Sequence, residues 1–334
     1  MTTITHVVVG PPQHGVVRFG RELHDAMLGV GAPSALWHAE RPDALLRRPL
    51  ESGIHLQFTD RLFGPTPEQA VETVSAIVSD ARDAGLRVTA TLHDLPQRFD
   101  YRNYQRRSAA YAEVCSRLHA VVVSSEHERD LLGASAPSRI AVVPLPIRHA
   151  RPAVRPTQQA LSIGIFGFVY PDKGHREVLR TVARLDEDIE VVAIGEVSTG
   201  HADLAAELDH RARSAGVTFR VTGHVPDSDV PDALRAITIP VAPHRHISAS
   251  GSLNSWLAAG RRPLAPVNRY TEEIVRRNPD ALELYPDSEV GLRTAIKRAV
   301  DEPGLTWLPD SAVCTPSVDD AAGQYTRLLS DWHR

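Results

Sequence analysis

The sequence predicts an α/β chain built as two doubly wound, Rossmann-like domains of similar size. Three observations predict it. The 334 residues exceed what one hydrophobic core usually covers, so two domains of about 150 residues are expected. Short apolar runs alternate with amphipathic stretches almost from end to end, the βαβ rhythm of a parallel sheet wrapped by helices. That rhythm breaks once, at Arg148 to Gln159, where two prolines, three arginines and two glutamines leave little to bury.

The elements follow in order, strands from short apolar runs and helices from longer amphipathic ones. Ile4–Gly10 reads as a buried strand and Val17–Val30 as a helix. Gly53–Phe58 is a strand, Thr66–Ala84 a helix and Leu86–Leu92 a strand. Tyr101–Arg117 is a helix, Ala120–Ser124 a strand, Glu126–Leu132 a helix and Ile140–Pro144 a strand. Beyond the linker, Leu161–Phe166 is a strand, His175–Leu185 a helix and Glu190–Ile194 a strand. Ala202–Ala215, Val230–Ala236 and Leu253–Gly260 read as helices, with Val217–Val221, Ile237–Ala242 and Pro263–Pro266 as strands. Two last helices are expected at Ser288–Val300 and Val318–Trp332. The domains expected are 1–150 and 160–316, facing each other across a cleft. Ligands of such sheets bind beyond the carboxyl ends of the strands.

Composition excludes several classes. With 23% charged and 42% hydrophobic residues the chain is neither disordered nor fibrous. A net charge of -4 offers no basic field for nucleic acid. Two cysteines, Cys115 and Cys314, are too few for a disulfide framework or a thiolate metal site, and they fit a reducing cytoplasm. Met1 to Gly10 lacks the charged start and long apolar run of a signal peptide. No apolar stretch approaches the ~20 residues that span a bilayer. A cytoplasmic protein is expected, at most peripheral to the inner face of the membrane. Of 37 basic residues only Lys173 and Lys297 are lysine. A GC-rich coding sequence explains that bias without function, but it makes a lysine in a loop easier to notice.

Four loops after strands carry chemistry-bearing residues. In Gly10-Pro11-Pro12-Gln13-His14-Gly15, glycine lets a ligand approach the backbone and the next helix start favours anions. The loop has neither the Lys-Ser/Thr of a P-loop nor the spacing of a dinucleotide fold, and its plain alternative is a turn. His93-Asp94 ends a strand, a placement suited to acid/base or hydroxyl-binding work, although a lone histidine is more often structural. Gly167-Phe168-Val169-Tyr170-Pro171-Asp172-Lys173-Gly174 can place an ammonium beside a phosphate; its plain alternative is a solvated lysine. In Pro243 to Ser252, the residues Ser250, Gly251 and Ser252 offer hydroxyls and free N–H groups at a helix start, a natural diphosphate site or an ordinary N-cap. His244 and His246 lack a nearby carboxylate or thiolate and read as non-metal.

Taken together these loops resemble those of GT-B glycosyltransferases, most closely family 4. The resemblance covers nearly the whole chain and is strongest from Ile163 to Pro266. Gly167…Pro171-Asp172-Lys173-Gly174-His175 is similar to that family's donor-phosphate loop. Gly223-His224-Val225, a helix through Leu234 and the strand Ile239–Pro243 resemble its next elements. Ser250-Gly251-Ser252-Leu253…Ala258-Ala259-Gly260-Arg261-Arg262-Pro263-Leu264 resembles its nucleotide-site helix. In the first half, Gly15 matches the glycine-rich loop, His93 the histidine near the sugar, and Val121–Ser125 with Leu131 the last part of the domain. The fold so implied returns the final helix, 317–334, to the first domain. Three positions depart from the pattern. Phe168 stands where the family often has arginine, and Ile247 and Ser255 where it commonly has two glutamates.

The resemblance implies a hexosyltransferase that moves a sugar from a nucleotide-diphosphate sugar, UDP- or GDP-linked, with retention of configuration. His93 and Lys173 are the catalytic candidates. Donor contacts are expected from Gly15, Phe168, Lys173, Arg245, Ser250, Gly251, Ser252 and Leu253, with Asn254 and Ser255 taking the places of the missing glutamates. His14, His93 and Asp94 lie on the acceptor side, and the acceptor is a saccharide, a lipid-linked sugar or a small molecule. No divalent metal or cofactor is required, because Lys173, Arg245 and the helix amides supply the charge. A catalytically silent GT-B protein is the main alternative, motivated by the two missing glutamates, and an epimerase or phosphorylase is a second. The segment Tyr101–Arg107 is a solvated basic face or, in the functional reading, a contact for an anionic membrane or a phosphorylated acceptor.

Overall fold

The computed structural model describes residues 3–47, 52–148 and 160–334. Of the expected linker, 149–159 lies outside the described residues. The chain divides into two compact units, Met1–Pro146 with Pro316–Arg334, and Ile147–Thr315.

The first unit runs β1 (Ile4–Val9), α1 (Gly15–Gly29), β2 (Ser34–Ala39), β3 (Gly53–Phe58), α2 (Asp60–Phe63), α3 (Pro67–Asp83), β4 (Val88–Leu92), α4 (Tyr104–Arg117), β5 (Ala120–Val123), α5 (Glu126–Leu132) and β6 (Ile140–Val142). These strands pair in parallel in the order β2-β1-β3-β4-β5-β6. Strands β3, β4 and β5 are buried throughout, as helices on both faces of a parallel sheet require. The sequence reading missed β2. Ser34–Ala39 is half-buried at the sheet edge and mixes Trp37 and His38 into a short run, so it has no clear period. The chain reverses direction across the sheet at β1, so the loop after β1 opens at a switch point.

The second unit contains β7 (Ser162–Phe166), α6 (His175–Val182), β8 (Glu190–Ile194), α7 (Leu204–Ser214), β9 (Phe219–Val221), α8 (Val230–Arg235), β10 (Ile239–Pro240), α9 (Gly251–Ala258), β11 (Leu264–Pro266), α10 (Arg269–Arg277), β12 (Glu283–Tyr285) and α11 (Glu289–Asp301). Its strands run β10-β7-β8-β9, and β11 pairs β12. A parallel bridge between Val241 and Leu264 carries the order on from β10 to β11. The switch point here lies between β7 and β10. The loops after these two strands hold Lys173 and Ser250–Ser252.

The last helix, α12 (Val318–Trp332), starts at a capping box between Ser317 and Asp320 and belongs to the first unit. Its Tyr325, Leu329 and Trp332 pack with Ile4, Leu23, Met27 and Val122. Beneath it runs a buried polar layer. His55 Nδ1 lies 2.9 Å from Thr89 Oγ1 and its Nε2 lies 2.9 Å from Thr91 Oγ1. Thr91 in turn meets the Tyr325 hydroxyl at 2.9 Å, and Thr89 meets His333 Nε2 at 3.0 Å. Among the described residues no helix is long and apolar enough to cross a membrane.

Candidate functional site

In the second unit the loop after β7 is pinned before it reaches Lys173. The Gly167 N–H donates to Ile194 O and the Val169 N–H to Glu196 O, both at 2.9 Å. Gly167 and Gly195 both have positive φ, +108° and +142°, and a methyl at Gly195 would fall on the Gly167 carbonyl. These two positions need glycine for close approach and for backbone sign. Gly174, at φ +96°, then turns the chain into α6 against Pro243, whose Cγ would lie 2.7 Å from an added methyl. The loop after β7 and the loop after β10 are thereby packed together.

Lys173 is only 4% exposed. Its Nζ donates to Ser252 Oγ at 3.2 Å and lies 5.6 Å from the centre of the Tyr170 ring. No carboxylate pairs with it among the described residues, and burial alone pulls its pKa down to about 7. Ser252 Oγ lies 3.1 Å from Ser250 Oγ, and Ser250 caps α9 by accepting from the Leu253 N–H at 3.1 Å. The Ser250 N–H is held by the Tyr270 hydroxyl at 3.0 Å. The first-turn amides of Gly251 and Ser252 have no acceptor within their helix, and the space beside Gly251 is open. An ammonium, two hydroxyls and a positive helix end converge here, which is the chemistry of an anion site.

The other expected donor residues are placed differently. Arg245 pairs with Asp287 at 2.8 Å, both about half exposed. Phe168 is 41% exposed beside the Lys173 loop. Leu253 is in the apolar core with Ala242 and Leu257, and Ile247 joins that core. Asn254 is buried, and the Ser255 hydroxyl donates to Gly251 O of its own helix at 3.0 Å. Sequence reasoning missed the environment of Lys173. His175 and His244 are buried beside it, and the Tyr270 hydroxyl that accepts from the Ser250 N–H comes from α10, which had no expected element.

In the first unit, His14, His93 and Asp94 are brought together at the carboxyl ends of β1 and β4, where His14 acts on His93 and Asp94 acts on both. His14 caps α1, its Nδ1 accepting from the Val16 N–H at 3.2 Å. Gly15 is open, with nothing within 4 Å of an added methyl. His93 Nε2 lies 2.9 Å from Gln57 Oε1. The Gln57 amide thus engages Nε2 of the ring and fixes its orientation. Burial lowers the His93 pKa, offset in part by Asp94. Gln57, a polar residue inside the apolar run of β3, is the positioning residue that reading missed.

Asp94 adopts φ +50°, a backbone sign rare outside glycine. Its carbonyl accepts from Arg107 Nη2 at 2.6 Å, and the Tyr111 hydroxyl donates to His93 O at 2.5 Å. Arg107 is itself buried and forked onto Asp60 at 2.9 and 3.0 Å, with Asp100 at 2.5 Å. It therefore holds the His93 loop and belongs to neither a solvated face nor a membrane contact. Arg106 pairs with Glu68 on the surface. The side chains of Tyr101 and Arg102 lie outside the described residues. Among the described residues no group of three or more His, Cys, Asp or Glu side chains could hold a metal ion.

No protein-family model matches the chain. Over 183 residues it is 25% identical to 2-deoxystreptamine glucosyltransferase of Streptomyces kanamyceticus, a match covering 50% of this chain and 46% of that enzyme. The match thus spans about half the length of this relative. HepE of Anabaena, solved with UDP and glucose, superposes with a TM-score of 0.71 at 12% identity, over 99% of this chain and 97% of that one. Sucrose-phosphate synthase of Thermosynechococcus elongatus gives a TM-score of 0.67 at 12% identity, over 100% and 95%. The chain has the GT-B fold. In a GT-B chain the two switch points described above are the places where each Rossmann-like unit presents ligand-binding loops.

Proposed function

We propose that this GT-B chain is a glycosyltransferase, most like family 4, that moves a sugar from a nucleotide-diphosphate sugar to an acceptor with retention of configuration and without a divalent metal. One observation carries the reading: Lys173, buried and with no carboxylate partner among the described residues, is held by Ser252 over the start of α9. Negative charge grows on the departing diphosphate as the bond to the sugar breaks. An ammonium and helix-end amides fixed in advance stabilise that charge without reorganising. Gly251 is the close-approach position. Arg245 would have to leave Asp287 to contribute, so it ranks below Lys173. In the first unit, His93, its ring held through Nε2 by Gln57, takes the sugar contact, and His14, Gly15 and Asp94 serve the acceptor side. The HepE complex with UDP and glucose makes a UDP-hexose the first donor to try.

The test is transfer or slow donor hydrolysis over UDP-, GDP- and ADP-sugars, wild type against Lys173→Ala. A lost charge-assisted bond of about 2 kcal/mol predicts a rate loss of about 30-fold or more. A loss within about 3-fold, in a variant of unchanged melting temperature, rejects the phosphate role. A catalytically silent GT-B protein is the second reading. It is favoured by Ile247 lying in the core and by Ser255 bonding its own helix where the family carries glutamates. Turnover of any sugar nucleotide by the isolated protein rejects it.

A further inference from the structure

Three ionisable side chains share the switch-point corner of the second unit. Lys173, His175 and His244 are 4%, 2% and 6% exposed. Among the described residues neither ring nitrogen of His175 has a hydrogen-bond partner, nor does Nδ1 of His244, whose ring is bonded to the Ala242 backbone. Gly174, between Lys173 and His175, packs on Pro243, the neighbour of His244, so the three residues flank one contact, and the charge of Lys173 bears on both imidazoles. Buried polar groups normally pair. Three in one place, with no carboxylate paired to them among the described residues, form a site suited to an anionic ligand.

The neighbouring charges do not supply it. On α6, Arg176 forks onto Glu207 and Glu177 lies near Arg180. Asp172 and, on the loop after β8, Glu196 are exposed. On the loop after β10, Arg245 pairs with Asp287 and His246 is exposed. Helix α9 carries no ionisable side chain from Gly251 to Ala258.

We propose that this corner is a proton-coupled anion site, in which binding of a diphosphate and protonation of Lys173 occur together while His175 and His244 stay neutral around them. The proton passes from the buffer to Lys173 Nζ, and no bond of the ligand changes. The inference rests on the donor-diphosphate reading above and adds its protonic regulation. A buried amine without a counter-ion favours its neutral form, and a bound diphosphate makes the ammonium the favoured one. Imidazoles are the side chains that preserve this contrast. A carboxylate at either position would hold the lysine charged in the empty site and compete with the ligand. Affinity is then expected to fall about tenfold per pH unit on the alkaline side of neutrality.

The scarcity of lysine makes the test direct. Protein labelled with carbon-13 lysine has two Cε signals, from Lys173 and Lys297, assigned with Lys297→Arg. In the free protein Lys173 is expected to titrate near neutrality and Lys297 in the ordinary lysine range. UDP-glucose, whose diphosphate has no ionisation near neutrality, should move the Lys173 midpoint up by more than one pH unit. His244→Asp should restore an ordinary midpoint in the free protein and weaken UDP-glucose at least tenfold; His244→Asn should leave the midpoint near neutrality. If wild-type Lys173 titrates together with Lys297, the proton-coupled site is overturned and the donor reading stands. If inorganic pyrophosphate moves Lys173 but no UDP-, GDP- or ADP-sugar does, the site is supported and the donor reading is overturned. If neither kind of anion moves it, both are overturned.

Discussion

At Arg261 a guanidinium with no surface exposure ties two stretches of backbone together, 234–238 and Thr306. Its Nε donates to Thr306 O at 3.1 Å, its Nη2 to Thr238 O at 2.9 Å, and its Nη1 to the carbonyls of Leu234, Arg235 and Ile237. The plane lies 3.9 Å over the Trp307 ring. This fork fixes the end of α8 and the approach to β10, and hence the loop bearing His244. Arg261→Met leaves these carbonyls unpaired and is expected to cost about 3 kcal/mol or more. Calorimetry should show that as a fall of about 10 °C in the melting temperature of this unit. Arg261→Lys is not expected to rescue it, because an ammonium cannot make a planar five-donor fork. The sequence placed Arg261 in the stretch resembling the nucleotide-site helix, but nothing in it showed that its guanidinium is buried. Lys173 was legible, since it broke the arginine-rich background and sat in a loop before a helix. His175 lies in the same motif as Lys173, but the contacts of Lys173 with Ser252 and His244 were not legible, because they form only when two loops meet.

The polar layer under α12 sets the pH response of the first unit. Burial lowers the pKa of His6 to about 3 and that of His333 to about 4, and lowers His55 as well. A histidine whose folded value is depressed contributes its full stability above the unfolded value of about 6.5. That contribution is lost as pH falls from there toward the folded value. For a group like His6 the loss at pH 5 is about 2 kcal/mol. Urea midpoints at pH 7.5 and pH 5 should show the first unit weakening, and His6→Leu should remove most of its own share. Equal midpoints at the two pH values would contradict this. Elements were legible where the apolar period was strong, as in β3, β4 and α3. Helix α10 was not, since its sequence Arg269–Arg277 is dominated by charge and its buried Tyr270 and Ile274 form a narrow stripe.

The two units differ in how they depend on the chain ends. The second is one continuous segment, Ile147–Thr315, whereas the first needs Pro316–Arg334 to complete it. Residues 147–315 expressed alone are expected to give a dispersed amide spectrum and a cooperative melt. Residues 1–146 alone leave Ile4, Leu23, Met27 and Val122 without α12, and should melt without cooperativity until a 316–334 peptide is added. A cooperative 1–146 fragment that ignores the peptide would refute this division of labour.

By itself the sequence determined the α/β class, the alternation of strands and helices, and the loops where ligands would be met. Those features are local, written in the period of apolar residues and in the glycines, prolines and lysine of single loops. Only the tertiary structure decided that Arg245 turns to Asp287, that Arg107 is buried under the His93 loop, and that the rings of His175 and His244 are buried with Lys173. Burial and countercharge depend on residues far apart in the chain, and no local pattern encodes which of them will meet.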